Sequence, residues 1–115
     1  MPFDTSLRDQ AVRRERAERE AARIAALEAT RDALSGLRDE FSLQSAIIFG
    51  SVIHPDGFRR DSDIDIALDS PPVEEFRLAG RLSRLIGREV HIVPLDGSAV
   101  AERARREGVE WKPTS

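Results

Sequence analysis

At 115 residues the chain has room for one domain built on one core. Its 18 basic and 21 acidic side chains leave a net charge of −3, which excludes a general nucleic-acid binder, and the few aromatics include no Tyr, which excludes a base-stacking platform for single strands. Cysteine is absent, so disulfide and thiolate chemistry are excluded; with no apolar run near the ~18 residues that span a bilayer, and no signal-peptide core in Met1-Pro2-Phe3-Asp4, a cytoplasmic location is expected.

Residues 5–40 read as one long helix, rich in Ala, Arg, Glu and Leu and free of Pro, with Thr5 or Ser6 to cap its start. From Arg8 to Arg23 it is almost all charge and Ala, with Leu7, Ala11 and Val12 as early apolar anchors. From Ile24 onward Ile24, Leu27, Leu34, Leu37 and Phe41 recur at helical spacing and bury one stripe. The expected organisation is therefore a charged helical extension over residues 1–23, a folded domain over 24–112 and a tail over 113–115. Eight basic and eight acidic residues between Arg8 and Glu40 cancel, so the extension is a solvated arm or a helix for a dimer or partner.

Ser45 to Phe49 reads as a first strand, Val52 to Ser62 as a loop, and Ile64 to Leu68 as a second strand ended by Ser70-Pro71-Pro72. A helix follows from Val73 to Ile86, with Phe76, Leu82, Leu85 and Ile86 as its buried face and Gly87 as its stop. Glu89 to Pro94 is a third strand. Ser98 caps a last helix, Ala99 to Glu107, after which Val109 to Trp111 adds a short strand or an apolar plug. The fold class is α/β (α+β): a small mixed sheet of three or four strands with helices on one face and a long N-terminal helix.

The chemistry concentrates between Ala46 and Leu68. A first apolar strand delivers Gly50-Ser51, and after eleven intervening residues a second strand opens with Asp63-Ile64-Asp65. Alternation along a strand points Asp63 and Asp65 the same way, and two like charges side by side are tolerated when a cation sits between them. Asp is depleted in strands, so two framing one isoleucine ask for a reason, and Mg²⁺ prefers oxygen ligands of this kind. Gly50 lets backbone approach a phosphate, and Ser51 offers a hydroxyl. Arg59 and Arg60 are phosphate-binding candidates or solvated loop charges, and Ser62 is a ligand candidate or shapes the turn into the strand. His54 reads as a surface residue and Trp111 as a packing anchor.

Gly50-Ser51 after an apolar strand, with Asp63-Ile64-Asp65 opening the next, resembles the signature of the polymerase β nucleotidyltransferase superfamily, and is similar above all to its minimal nucleotidyltransferase (MNT) domains. The likeness runs over residues 25–112, and its loop is about one residue longer than the usual spacing. The resemblance implies a polymerase β-like fold, ATP and Mg²⁺ as substrate nucleotide and cofactor, Asp63 and Asp65 as the metal pair, and Gly50 and Ser51 on the triphosphate. It also implies an antitoxin role with a HEPN-type toxin as protein partner. The chain departs from the pattern at His91, in Val90-His91-Ile92-Val93, where the superfamily usually carries a third carboxylate that binds metal or acts as base. Imidazole transfers protons near pH 7 but is a poorer Mg²⁺ ligand. Glu89 has the parity of His91 and lies ~7 Å along the strand, a candidate for the missing acid, with Asp96 a looser one.

The expected function is transfer of a nucleoside monophosphate, AMP from ATP, to a hydroxyl on a partner protein, with Asp63, Asp65 and His91 as the catalytic set. The alternative is an antitoxin that keeps the fold and neutralises its partner by binding alone; a homo-oligomerisation module leaves the Gly-Ser and Asp-x-Asp pairing unexplained.

Overall fold

The computed structural model describes residues 6–69 and 72–114. The expected cap Thr5, the Ser70-Pro71 strand end and Ser115 lie outside the described residues. The elements run α1 (Ser6–Phe41), β1 (Ala46–Phe49), a 3₁₀ turn (Gly50–Ile53), β2 (Ile64–Leu68), α2 (Pro72–Ile86), β3 (Val90–Pro94), α3 (Ala99–Glu107) and β4 (Val109–Trp111). The strands form one mixed sheet in the order β3-β2-β1-β4. β1 pairs antiparallel with β2 and β4, and β2 pairs parallel with β3 across the helix that joins them.

Period-two alternation sorts the strands into two faces. Ala46, Ile48, Ile64, Ile66, Leu68 and Val90 point to one face and build the main core with α1 and α2. Ile47, Phe49, Ala67 and Val93 point to the other, where short α3 covers part of the sheet through Ala104. Trp111 both joins β4 and packs into the main core, its Nε1–H donating to Ser35 Oγ at 3.1 Å. Ser98 caps α3 as expected, accepting from the Ala101 N–H.

α1 is 36 residues long, about 54 Å at 1.5 Å per residue, and accounts for the 65 Å length of the molecule. Its burial begins only at Ala26 and continues through Thr30, Ala33, Leu34, Leu37 and Phe41. Ile24, expected in the stripe, is 45% exposed, and Leu7 and Val12 are exposed as well. Residues 6–19 are exposed throughout. Arg23 is the first anchor: it pairs with Glu20 and donates from a guanidinium nitrogen to the Val52 carbonyl at 3.1 Å. Deleting residues 1–19 should therefore change unfolding free energy by less than ~0.5 kcal/mol in a denaturant titration, because none of the described side chains removed, 6–19, is buried.

The buried face of α2 differs from the expected one. Leu78 and Leu82 are fully buried and Ile86 packs partly, whereas Phe76 is 85% and Leu85 57% exposed. Arg77 and Arg81 both reach Glu40 of α1, and Arg77 stacks over Phe41 at 4.7 Å, so this charged side faces α1 and turns Phe76 outward beyond β3. No helix of the described residues is long and apolar enough to cross a membrane.

Candidate functional site

The second sheet face is apolar under α3 and polar beyond it. Asp65 shares parity with Ala67, and His91 with Val93, so both carry the alternation off the covered patch. Parallel pairing sets Asp65 opposite His91, and antiparallel pairing sets Phe49 opposite Asp65, which brings the end of β1 alongside the start of β2.

That register explains Gly50. It follows β1 with φ +81°, the left-handed region that favours glycine, and a Cβ at this position would overlap Asp65 Oδ2. The chain therefore turns directly over the Asp65 carboxylate. Ser51 lies in the 3₁₀ turn, whose end is closed by the His54 N–H donating to the Ser51 carbonyl at 3.1 Å. Burial holds the Asp65 carboxyl above its usual value; His91 pulls it down and Asp63 pushes it up.

Asp63 and His91 meet directly. His91 Nε2 is 3.1 Å from Asp63 Oδ2 and 3.8 Å from Glu89 Oε1, with the His91 and Asp63 side chains 50% and 45% exposed. The Ile64 N–H donates to the Glu89 carbonyl at 2.9 Å, which locks the starts of β2 and β3 together. Donor atoms of Asp63, Glu89 and His91 all lie within 4.8 Å of one another, and among the described residues no other group of three does so. Two carboxylates and an imidazole converging from solvent fit a divalent cation. Asp65 faces Gly50 at the flank of this group.

Arg59, Arg60 and Ser62 stand elsewhere. Arg59 and Arg60 are exposed and line a cleft of about 650 Å³ between their loop and the α1 residues Glu15, Glu18 and Arg19. Ser62 shapes the turn, its Oγ accepting from the Arg59 N–H at 2.8 Å and its own N–H donating to the Arg59 carbonyl. Asp96 is committed to the α3 turn: its Oδ1 accepts the Ser98 N–H at 2.8 Å, and hydrogen bonding by Ser98 holds its carboxyl below the usual value. His54 is exposed, 3.9 Å from Glu107.

Two supporting residues escaped the sequence reading. Phe58 is buried at 2% exposure and pins the middle of the loop into the main core. Arg88 stacks over Phe58 at 4.4 Å and donates through one nitrogen to the carbonyls of Arg59, Arg60 and Ser62 at 3.3, 2.8 and 3.0 Å. The loop into Asp63 is thus tied to the residue before Glu89. An arginine next to an apolar strand carries no signal of such a task; a lone Phe in a Gly/Arg loop was the available hint.

No family model and no curated relative matches the chain. Its fold is found in solved toxin–antitoxin structures. A chain of a toxin–antitoxin crystallised with AMP-PNP aligns with a TM-score of 0.61 at 24% identity, over 74% of each chain. A chain of the toxin–antitoxin MntA–HepT aligns at 0.56 and 23% identity, over 76% of this chain and 73% of that one. A mutant of the same system carrying two Asp-to-Glu changes two positions apart aligns at 0.59 and 22% identity, over 74% of each. The fold expected from the Gly-Ser and Asp-x-Asp pattern is the fold these neighbours share.

Proposed function

We propose that this protein is a minimal nucleotidyltransferase of a toxin–antitoxin pair, which transfers AMP from ATP to a hydroxyl of its partner protein, a HEPN-type toxin. The observation that carries the reading is the packing of the Gly50 turn over Asp65, with Asp63 and His91 alongside on the same face. A structural neighbour holds AMP-PNP, and the neighbours are toxin–antitoxin complexes, which supports the nucleotide and the kind of partner.

In this reading Gly50 gives the triphosphate a close approach to backbone, and Ser51 adds a hydroxyl donor. Asp63 and Asp65 hold Mg²⁺, which when bound screens the phosphates and stabilises the charge on the leaving group. The acceptor oxygen bonds to the α-phosphorus, the bond to the bridging oxygen breaks, and pyrophosphate leaves with that electron pair. The hydroxyl proton passes to solvent, to which the half-exposed site is open. His91 fills the position of the third carboxylate beside Asp65. Arg59 and Arg60, in a separate cleft beneath the α1 arm, contact the partner.

Purified protein with labelled ATP and Mg²⁺ should label its co-purifying partner, and Asp63→Asn/Asp65→Asn should remove the label by at least ~100-fold. The second reading, neutralisation by binding alone, is favoured by one observation: the side chain opposite Asp65 and hydrogen-bonded to Asp63 is an imidazole and not a carboxylate. It predicts no label with any of the four nucleotides, and a gain of activity on His91→Asp. For a working transferase, His91→Asp leaves the rate within about tenfold of the parent in the same assay.

A further inference from the structure

We propose that Arg88 is the positioning residue of the candidate site: its guanidinium holds the loop that enters β2 and so sets where Asp63 stands beside Asp65 and His91. The hold on Asp63 stands by itself; its effect on rate rests on the AMP-transfer reading above.

The two aspartates are held differently. Asp65 lies inside β2, paired with Phe49 on one side and His91 on the other. Asp63 lies one residue before β2, whose register with β3 begins at Ile64 opposite Val90, so no ladder fixes it. On its far side the Ile64 N–H is tied to the Glu89 carbonyl at 2.9 Å. On its near side the turn is closed on itself, by the bonds of the Ser62 Oγ and N–H to Arg59, which shape it without fixing it to the sheet. The 3.1 Å bond to His91 meets the Asp63 carboxylate at its tip and leaves the backbone that carries it free. The missing tie is Arg88. It donates at 3.0 Å to the Ser62 carbonyl, which shares one rigid peptide plane with the Asp63 N–H and Cα.

Arg88 is itself anchored. The Gly87 N–H donates to the Ser83 carbonyl at 2.8 Å and the Val90 N–H to Ser83 Oγ at 3.1 Å, so the end of α2 grips the backbone on either side of it. Its guanidinium lies 4.4 Å over the ring of buried Phe58. From there one nitrogen meets three carbonyls, those of Arg59, Arg60 and Ser62. A charged donor makes stronger bonds to such oxygens than a neutral one, and a planar guanidinium stacked on a ring loses little further freedom in making them. The first aspartate of the pair is thus set by a residue on the neighbouring strand's approach, and the second by the sheet.

The test compares two variants of the full chain. Arg88→Met keeps an unbranched stem over Phe58 and loses every donor. Arg88→Lys loses the planar stack and keeps a cation with three donors, suited to three carbonyls that converge on one nitrogen. Circular dichroism sets a temperature at which parent and variants are all folded. Backbone ¹⁵N relaxation, without nucleotide or partner, reads the loop. Expected are order parameters of ~0.85 over residues 60–63 in the parent and in Arg88→Lys, and below ~0.6 in Arg88→Met. With labelled ATP, Mg²⁺ and the co-purifying partner, Arg88→Met should lower kcat at least ~10-fold while KM for ATP stays within ~3-fold, because the Gly50-Ser51 turn is untouched. Arg88→Lys should restore kcat to within ~3-fold of the parent. A merely structural part for Arg88 would leave kcat of the folded protein unchanged. Parent-like loop order in Arg88→Met, an unchanged kcat, a KM that rises as far as kcat falls, or Arg88→Lys no better than Arg88→Met would each overturn the proposal. A parent that transfers no label would sink the AMP-transfer reading instead, and the relaxation data would still decide the hold on Asp63.

Discussion

Gly50→Ala is expected to abolish AMP transfer and to destabilise the protein by about 2–4 kcal/mol. Two causes add. The backbone at this position has φ +81°, where an L side chain costs ~1–2 kcal/mol. The new methyl would also overlap the Asp65 carboxylate, so either the turn lifts or the carboxylate swings away. A displacement of ~1 Å at reacting groups costs ~100-fold in rate, and here the turn and the carboxylate proposed to hold phosphate and metal both move. Gly36→Ala is the matched control. It lies inside α1 with open space around it, so it should raise stability by ~0.5–1 kcal/mol and leave transfer unchanged. Denaturant unfolding together with the labelled-ATP assay reads both outcomes; equal behaviour of the two variants would sink the role given to Gly50.

Phe58→Ala is expected to be the most damaging change outside the site, at about 3–5 kcal/mol. Phe58 is among the largest fully buried side chains and is the only core residue of the connection between the 3₁₀ turn and β2 among those described. Its removal leaves a cavity and takes away the platform beneath Arg88, freeing three loop carbonyls from their donor. For a domain of this size the loss corresponds to a fall in melting temperature of about 12–20 °C. Phe58→Leu keeps most of the volume and should lose no more than ~1.5 kcal/mol, which keeps the comparison readable if the alanine variant does not fold. A melting temperature of Phe58→Ala within a few degrees of the parent would contradict the anchoring account.

The strands were legible because each carries continuous or alternating apolar residues bounded by turn formers, and Asp63, Asp65 and His91 were legible because strand parity fixes their faces. Parity also drew attention to Glu89 as a nearby acid. Phe76 and Leu85 misled because helical periodicity weighs residue size without knowing which side meets the sheet. In α2 the Arg77 and Arg81 pairs with Glu40 and the burial of Leu78 and Leu82 in the core shared with α1 and the sheet settle the rotation, and these are contacts to residues far away in sequence. Phe58 was hidden for a related reason: a loop has no period, so burial within one leaves no pattern.

Composition and alternation by themselves determined the order of strands and helices, the long charged helix and the shared face of Asp63 and Asp65, because these depend on local geometry of 3.6 and 2 residues per repeat. Only the tertiary structure decided which groups touch. Sheet register put Gly50 over Asp65 and His91 beside Asp63 and Glu89, while it left Arg59 and Arg60 in a separate cleft. Those distances arise from pairing between strands and from side chains such as Arg88 that brace a loop across the sheet, and neither is encoded in the spacing of one segment.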